Sequence, residues 1–433
     1  MWDFETDPEY QADLDWAEAF VRDEVEPLRF VIPSVFDLDD PVRREIIPPL
    51  QAKVKARGLW ATHLGPELGG KGHGQVKLAL LNEILGRTGF APVIFGCTAP
   101  DTGNAEILAH YGTAAHKAKY LQPLLDGEIF SCFSMTEPQA GSDPKEFTCR
   151  AELDGDEWVI NGEKWFSSNA RHAAFFIAMV VTDPDAAAYR QQSMLIVPSD
   201  APGIEIIRNV GIGSWGERLD PGAEHAHLRY TNVRVPRDNL LGERGGAFLV
   251  AQTRLGGGRI HHAMRTVGMA RLAFEMMLER AVSRRTQGET LAKKQMVQEM
   301  VADSWLDLEQ FRLLLLRTAW KIDKLQDYKQ VRGDISAAKI AMTVVLKRIV
   351  DRALQVHGSF GLSDEAPFVH MLLNAYHVGL ADGPTEVHKA TLAREVLKDV
   401  KPAEGMFPSY TRSLRVERAK ARYAEVLSRH GRA

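Results

Sequence analysis

Apolar and polar residues recur along this chain with two different periods, and the switches between them divide it into three. From Asp7 to about Gly127 apolar residues stand three and four apart, as in Leu14, Ala17, Phe20 and Val21, the spacing of a helix that buries one face. Pro8 sits where a first helical turn begins, and a second helix is predicted over Pro41 to Arg57. The pattern resumes over Val76 to Gly86, Thr102 to Tyr111 and Ala114 to Leu125. Beyond Gly127 the period drops to two. Phe130 to Met135, Thr148 to Leu153, Glu157 to Ile160, Lys164 to Ser167, Phe175 to Val181, Ser193 to Val197, Ile204 to Val210 and Ala223 to Val235 are short, alternating and rich in β-branched or aromatic residues, which predicts strands. Asp154-Gly155 and Asn161-Gly162 read as tight turns between them, giving an antiparallel β-domain of about a hundred residues. From Gly245 to Lys398 long helices return, over Gly258 to Arg285, Leu291 to Leu325 and Asp334 to His357, and short links between long helices predict a bundle. Leu313 to Leu316 is apolar all round, so that helix is expected to be buried on most sides.

The expected organisation is therefore α+β: a helical domain over 1–129, a β-domain over 130–241, a helical bundle over 242–400 and a helical tail over 401–433. At 433 residues and 45% apolar composition the chain can hold two or three cores, and a net charge of −4 without a concentrated basic face gives no reason to expect nucleic acid. Cys97, Cys132 and Cys149 have neither disulfide nor metal spacing and are taken as reduced core thiols. The acidic start, Met-Trp-Asp-Phe-Glu, opposes a secretory or transit peptide, and the longest apolar run, Ala173 to Val181, is far below the roughly twenty residues of a membrane helix. A cytoplasmic location without a membrane span is expected. In the tail, Arg412, Arg415, Arg418, Lys420, Arg422 and Arg429 alternate with apolar residues, and a helix packing on a neighbouring subunit is preferred to one lying on a membrane.

Several segments suggest chemistry and must be weighed. The cluster Gly65 to Gly74 fits neither phosphate-loop pattern and reads as a structural link. Asp101-Thr-Gly-Asn104 is polar in an apolar neighbourhood, and both pocket lining and helix capping account for it. His261-His262 lacks the spacing of a metal pair, so no metal is expected, and His357-Gly-Ser-Phe-Gly361 does not satisfy a nucleophile elbow. Asp382-Gly383 alone is an ordinary turn dipeptide, followed by Pro384 in the first turn of a helix through Lys389, Arg394 and Lys398.

Four segments together change that picture. Gln355-Val-His-Gly-Ser-Phe-Gly361 with Asp382-Gly-Pro-Thr-Glu-Val-His-Lys-Ala-Thr-Leu-Ala-Arg394 resembles the C-terminal signature of the acyl-CoA dehydrogenases, and Phe133-Ser-Met-Thr-Glu-Pro-Gln-Ala-Gly-Ser-Asp143 resembles their flavin-facing segment. Asn161-Gly-Glu-Lys-Trp-Phe-Ser-Ser-Asn169 is similar to a strand of the same family, and Arg284-Arg-Thr-Gln-Gly288 with Gln295 to another of its motifs. The resemblance runs from about residue 15 to residue 400 and implies that family's fold, with a C-terminal four-helix bundle and FAD as cofactor.

It implies roles residue by residue. Asp382 stands where most members have a Glu base, and Ser359 replaces a Gly. Phe133, Met135, Thr136, Ser142, Phe166, Ser168, Thr385 and Glu386 match flavin positions, while Arg284, Gln295, Gln355 and Gly358 match positions that serve the cofactor of a neighbouring subunit. Ser142, Arg259, Gly383 and Arg394 match substrate positions. A homotetramer built as a dimer of dimers, an acyl-CoA substrate and an electron-transfer flavoprotein as acceptor follow from the same resemblance, with a place in fatty acid β-oxidation. The Asp-Gly-Pro sequence is similar to the subgroup fused in animals to a kinase-like domain, whose phosphotransferase suggests hydroxylated or phosphorylated acyl groups. An Asp carboxylate reaches about 1.5 Å less than Glu, and burial beside flavin and thioester is expected to raise its pKa toward neutrality once substrate excludes water. Two alternatives stand beside this reading: a nitroalkane-oxidase-like flavin oxidase of the same fold, and a catalytically idle flavoprotein acting as a partner module.

Overall fold

A computed structural model describes residues 5–66, 72–212, 224–403 and 405–432. Helix α1 (Pro8–Phe20) begins where Asp7 accepts the Tyr10 N–H at 2.9 Å, with Pro8 in the first turn. It buries Tyr10, Leu14, Ala17 and Phe20 against Leu81, Leu85 and Phe95. Each such large apolar side chain contributes on the order of 1.5–3 kcal/mol when taken from water. Helices α2 (Pro41–Arg57), α3 (Gly74–Leu85) and α4 (Asp101–Tyr111) complete the first layer. Of the predicted glycine link, residues 67–71 lie outside the described residues.

Gly127, at φ 76, ends the helical region, and the chain enters a sheet of β1 (Phe130–Ser134), β2 (Arg150–Asp154), β3 (Glu157–Ser168), β4 (Ala173–Val181), β5 (Gln192–Pro198), β6 (Ile204–Val210) and β7 (His225–Pro236). The predicted first residue of the last strand, Ala223, is outside the described residues. The order is β1-β4-β2-β3-β7-β6, with β5 on the other edge of β4. The expected antiparallel sheet is in fact mixed: β1 runs parallel to β4, with Ser131 opposite Phe175, and β2 joins β4 in parallel at Arg150 and Val181. A parallel pair needs a long crossover, and the chain that carries β2 and β3 supplies it.

A second expectation fails at Asn161-Gly162, which is no turn. Strand β3 runs through it, and the register against β7 shifts between Ile160 and Gly162. A Cβ on Gly162 would stand 2.6 Å from the Cα of Cys149, so this glycine permits a bulge and a close backbone approach.

The last third contains α5 (Ala247–Ser283), α6 (Gln295–Leu325), α7 (Arg332–His357), α8 (Phe368–Leu380) and α9 (Thr385–Leu397). Helix α5 starts well before the predicted Gly258, because Gly256, Gly257 and Gly258 lie inside it and bring Tyr328, Glu106 and Asp382 against its backbone. Its core partners include Phe311, Leu315, Met342, Leu346 and Phe368. The expected all-round burial of Leu313 to Leu316 is not seen: Leu315 is buried, but Leu313 is 45% exposed, beside exposed Trp305 and Trp320. The tail forms α10 (Arg412–Arg422), which has no buried residue. Among the described residues no helix is long and apolar enough to cross a membrane.

Candidate active site

Asp382 occupies the bend between α8 and α9. Its φ of 55 lies in the left-handed region, and Gly383 follows at φ 103, so the chain reverses within two residues. Pro384, predicted inside the first turn, stands just ahead of α9 with ψ 155. Arg259 on α5 donates from Nε to the Asp382 carbonyl at 2.9 Å, and His388 Nε2 on α9 lies 3.3 Å from the same oxygen. The bend is therefore pinned from two helices.

The carboxylate faces α5. A Cβ on Gly258 would come within 3.3 Å of Asp382 Oδ2; His262 Nε2 stands 3.6 Å from Oδ2, and Arg254 Nη1 3.9 Å from Oδ1. Residues 254, 258 and 262 are successive four-residue steps, so they share one helical stripe. Together they wall a cavity of about 370 Å³. Phe36, Ala99, Pro100, Thr102 and Gly103 line it from the N-terminal helices, Ser168, Asn169 and His225 from the sheet, and His370, Leu373, Asn374 and His377 from α8.

Burial pushes the Asp382 carboxyl up, but His262, Arg254, Arg259 and Lys339 outweigh burial, and the net direction is below the ordinary carboxylate value. His262 is itself lowered to about 3, by burial first and then by Arg265. The expectation of a carboxyl raised toward neutrality concerns the site filled by flavin and thioester, whereas the protein groups by themselves lower it. Lys339 is lowered to about 8 by burial and donates to the Val378 carbonyl.

A polar chain runs back from Asp382. Arg254 stacks 3.9 Å from the centre of the Phe133 ring and donates from Nε to Asn104 Oδ1 at 3.0 Å. Asn104 Nδ2 donates to Ser131 Oγ at 2.8 Å, and Ser131 donates from N and Oγ to Asp101 Oδ1 at 2.8 and 2.5 Å. Burial raises Asp101 to about 7 and Glu106 to about 8. Asp101 thus bonds a strand and does not cap its own helix; of the two readings of Asp101 to Asn104, pocket lining is the one supported.

The segment after β1 is fixed by a buried ion pair. Glu137 Oε1 lies 2.9 Å from Lys164 Nζ and accepts the Cys149 backbone N–H at 3.0 Å, while Oε2 accepts that of Thr148 at 2.7 Å. Lys164 also donates to the Met135 carbonyl, and Trp165 N–H to the Thr136 carbonyl. At the end of β3, Phe166 has φ 50 and is 44% exposed, and Ser168 Oγ lies 2.8 Å from His225 Nδ1. Both amide atoms of Asn169, buried in the cavity wall, have no hydrogen-bond partner among the described residues. Burial, then His377, lowers His225 to about 4.

The structure brings Asp382, Gly383, Arg259, Phe133 and Ser168 to one region, but not every matched position. Arg284 caps α5, Gln295 opens α6, and Gln355 and Gly358 end α7, all exposed and none lining the cavity. Ser142 and Glu386 are exposed, and Thr385 donates to the Gly379 carbonyl at 3.1 Å. Arg394 is exposed, about 13 Å along α9 from Thr385. Neither Arg259, engaged by the Asp382 carbonyl, nor Arg394 therefore distinguishes a CoA substrate from a nitroalkane. Sequence reasoning missed Arg254, His262, Lys339 and the Glu137–Lys164 pair; the stripe through 254, 258 and 262 is the signal that could have found the first two.

The chain matches family models described as the N-terminal, middle and C-terminal domains of acyl-CoA dehydrogenase over residues 7–128, 132–233 and 245–397. It is 42% identical over 356 residues to "Probable acyl-CoA dehydrogenase FadE2" of Mycobacterium tuberculosis, covering 81% of this chain and 86% of the relative. It is 40% identical over 358 residues to acyl-CoA dehydrogenase family member 11 of Gallus gallus, covering 82% of this chain; the chain spans 45% of that longer relative. Among solved structures, butyryl-CoA dehydrogenase of Megasphaera elsdenii superposes with a TM-score of 0.77 at 25% identity, covering 92% of this chain and all of the other.

Proposed function

This chain belongs to the acyl-CoA dehydrogenase family and is an FAD-dependent oxidoreductase, and on that premise we propose that it dehydrogenates an acyl-CoA thioester to the trans-2-enoyl-CoA with Asp382 as base. The observation that carries the proposal is the Asp382 carboxylate in the wall of a cavity bounded by all three parts of the chain. Cations keep it ionised, ready to take the α proton. The Asp382 N–H is assigned to polarise the thioester oxygen and stabilise the developing enolate.

The cofactor fits what is present. An exposed Phe166 at positive φ, the Ser168 hydroxyl and the unpartnered Asn169 amide form a surface suited to a flat ring with a polar edge. Phe133, Met135, Thr136, Phe166 and Ser168 would hold the flavin, with Ser142, Thr385 and Glu386 beside it. Arg284, Gln295, Gln355 and Gly358 are assigned to the cofactor of a neighbouring copy in a homotetramer. When bound, FAD supplies the acceptor for the β hydride, and an electron-transfer flavoprotein is the proposed onward acceptor. His262, His370, Asn374 and His377 give the cavity a polar side, which supports an acyl group carrying polar decoration.

Anaerobic titration with an acyl-CoA panel that includes hydroxylated chains tests the reading: a productive thioester bleaches the flavin. Asp382→Asn keeps its FAD and loses turnover by several powers of ten. Full turnover in that variant, or oxygen consumption with nitroalkanes in place of bleaching by thioesters, would overturn it.

A further inference from the structure

Beside the base lies a buried cation that the reaction as written does not use. The Arg254 side chain is only 10% exposed and sits among three carboxyl groups, Asp382, Asp101 and Glu106. Its central carbon lies over the Phe133 ring, its Nε is held by Asn104, and its Nη1 is left to face Asp382 Oδ1 at 3.9 Å. The fit around its stem is close, since a Cβ on Gly103 would stand 2.7 Å from the Arg254 Cγ. This is a guanidinium fixed on one face and one edge, with the remaining edge turned to a carboxylate.

We infer that Arg254 is a positioning residue for the base: Asn104 and Phe133 fix the guanidinium, and its charge holds the Asp382 carboxylate against the cavity. The inference rests on Asp382 being the base. Asn104 is in turn fixed by Ser131, and Ser131 by Asp101, so the direction of the guanidinium is set by strand β1 and helix α4. Arg259 holds the backbone of Asp382; Arg254 holds its side chain. The other titratable groups facing Asp382, among the described residues, are Arg259, His262 and Arg265 from α5, Lys339 from α7, His377 from α8 and His388 from α9. Burial raises both acids behind Arg254, Glu106 to about 8 and Asp101 to about 7, which weakens their competition with Asp382 for its charge.

The test separates proton transfer from oxidation. With a redox-inert 3-thia-acyl-CoA in D2O, deuterium uptake at the α carbon of the thioester is read by mass spectrometry across the pD range. Arg254→Met is expected to slow uptake about 10- to 100-fold, the scale of a misplaced catalytic group. The acid limb of its pD profile is expected to move up by about one unit, since an opposite charge at this distance lowers a carboxyl by roughly that much or more. Arg254→Lys restores the position of the limb. A profile unmoved in Arg254→Met, while Asp382→Asn abolishes uptake, overturns the inference and spares the base. Wild-type uptake in Asp382→Asn removes the base assignment instead. Should Arg254→Met fail to fold, Asn104→Ala, which frees the guanidinium but keeps its charge, is expected to slow uptake; an unchanged rate there also overturns the inference.

Discussion

Arg259 donates to the backbone carbonyl of Asp382 at 2.9 Å, so an arginine expected at the substrate holds the turn that carries the proposed base. Substituting Arg259→Met frees one side of that bend while the His388 contact remains. Turnover should fall about 10- to 100-fold as the carboxylate loses its placement. Steady-state kinetics check this: the loss belongs mainly in kcat, and a variant that raises only KM would return Arg259 to the substrate.

Gly258 separates activity from stability. Alanine is worth up to about 1 kcal/mol over glycine inside a helix. Its Cβ, however, meets Asp382 Oδ2 at 3.3 Å, so the carboxylate must give way by a few tenths of an ångström. Gly258→Ala should therefore melt no lower than the wild type and turn over about tenfold more slowly. Thermal unfolding and kinetics on the same preparation decide it, and unchanged kinetics would show that the carboxylate has room.

Glu137 and Lys164 form a pair whose side chains are 1% and 0% exposed. Burial raises the Glu137 carboxyl, but Lys164 and the N–H groups of Thr148 and Cys149 outweigh it and leave it lowered. A lowered carboxyl contributes stability above its ordinary value of about 4.5, and that contribution is lost as pH falls through the folded value. Glu137→Gln leaves the ammonium buried alone and should cost about 3–5 kcal/mol in urea unfolding at neutral pH. A cost below about 1 kcal/mol, the scale of an exposed pair, would contradict this burial.

Asp101 carries the opposite sign. Burial raises it from 3.8 to about 7, so the folded chain keeps a proton that the unfolded chain releases between those values. Stability should fall as pH rises through that window. Asp101→Asn retains an acceptor for Ser131 and removes the titration. The decline in unfolding free energy from pH 5 to pH 8 should become shallower by on the order of 2 kcal/mol. Parallel declines in the two proteins would mean that Asp101 is ionised in the fold.

The broad architecture was legible because helical and strand periods differ and each persists over many residues. Local errors arose where one residue serves a contact remote in sequence. Gly162 reads as a turn until Cys149 is seen behind it, and Gly256 to Gly258 read as a helix start until Tyr328, Glu106 and Asp382 are found packed on them. The motif around Asp382 could be read from the chain because its parts are close in sequence. The residues that set its charge, Arg254 and Lys339, lie on two other helices, and an arginine among apolar residues looks the same whether it snorkels to water or faces a carboxylate. The sheet's mixed direction depends on a crossover that strand periodicity does not encode.

The φ of 55 at residue 382 ties the identity of the acid to the path of the chain. That conformation costs an ordinary side chain roughly 1–2 kcal/mol, and Asp is among the few that visit it routinely. Glutamate is not among them, and it reaches further. Aspartate therefore suits the corner itself as well as its proposed part as proton acceptor, and exchanging one acid for the other would strain the turn between two helices.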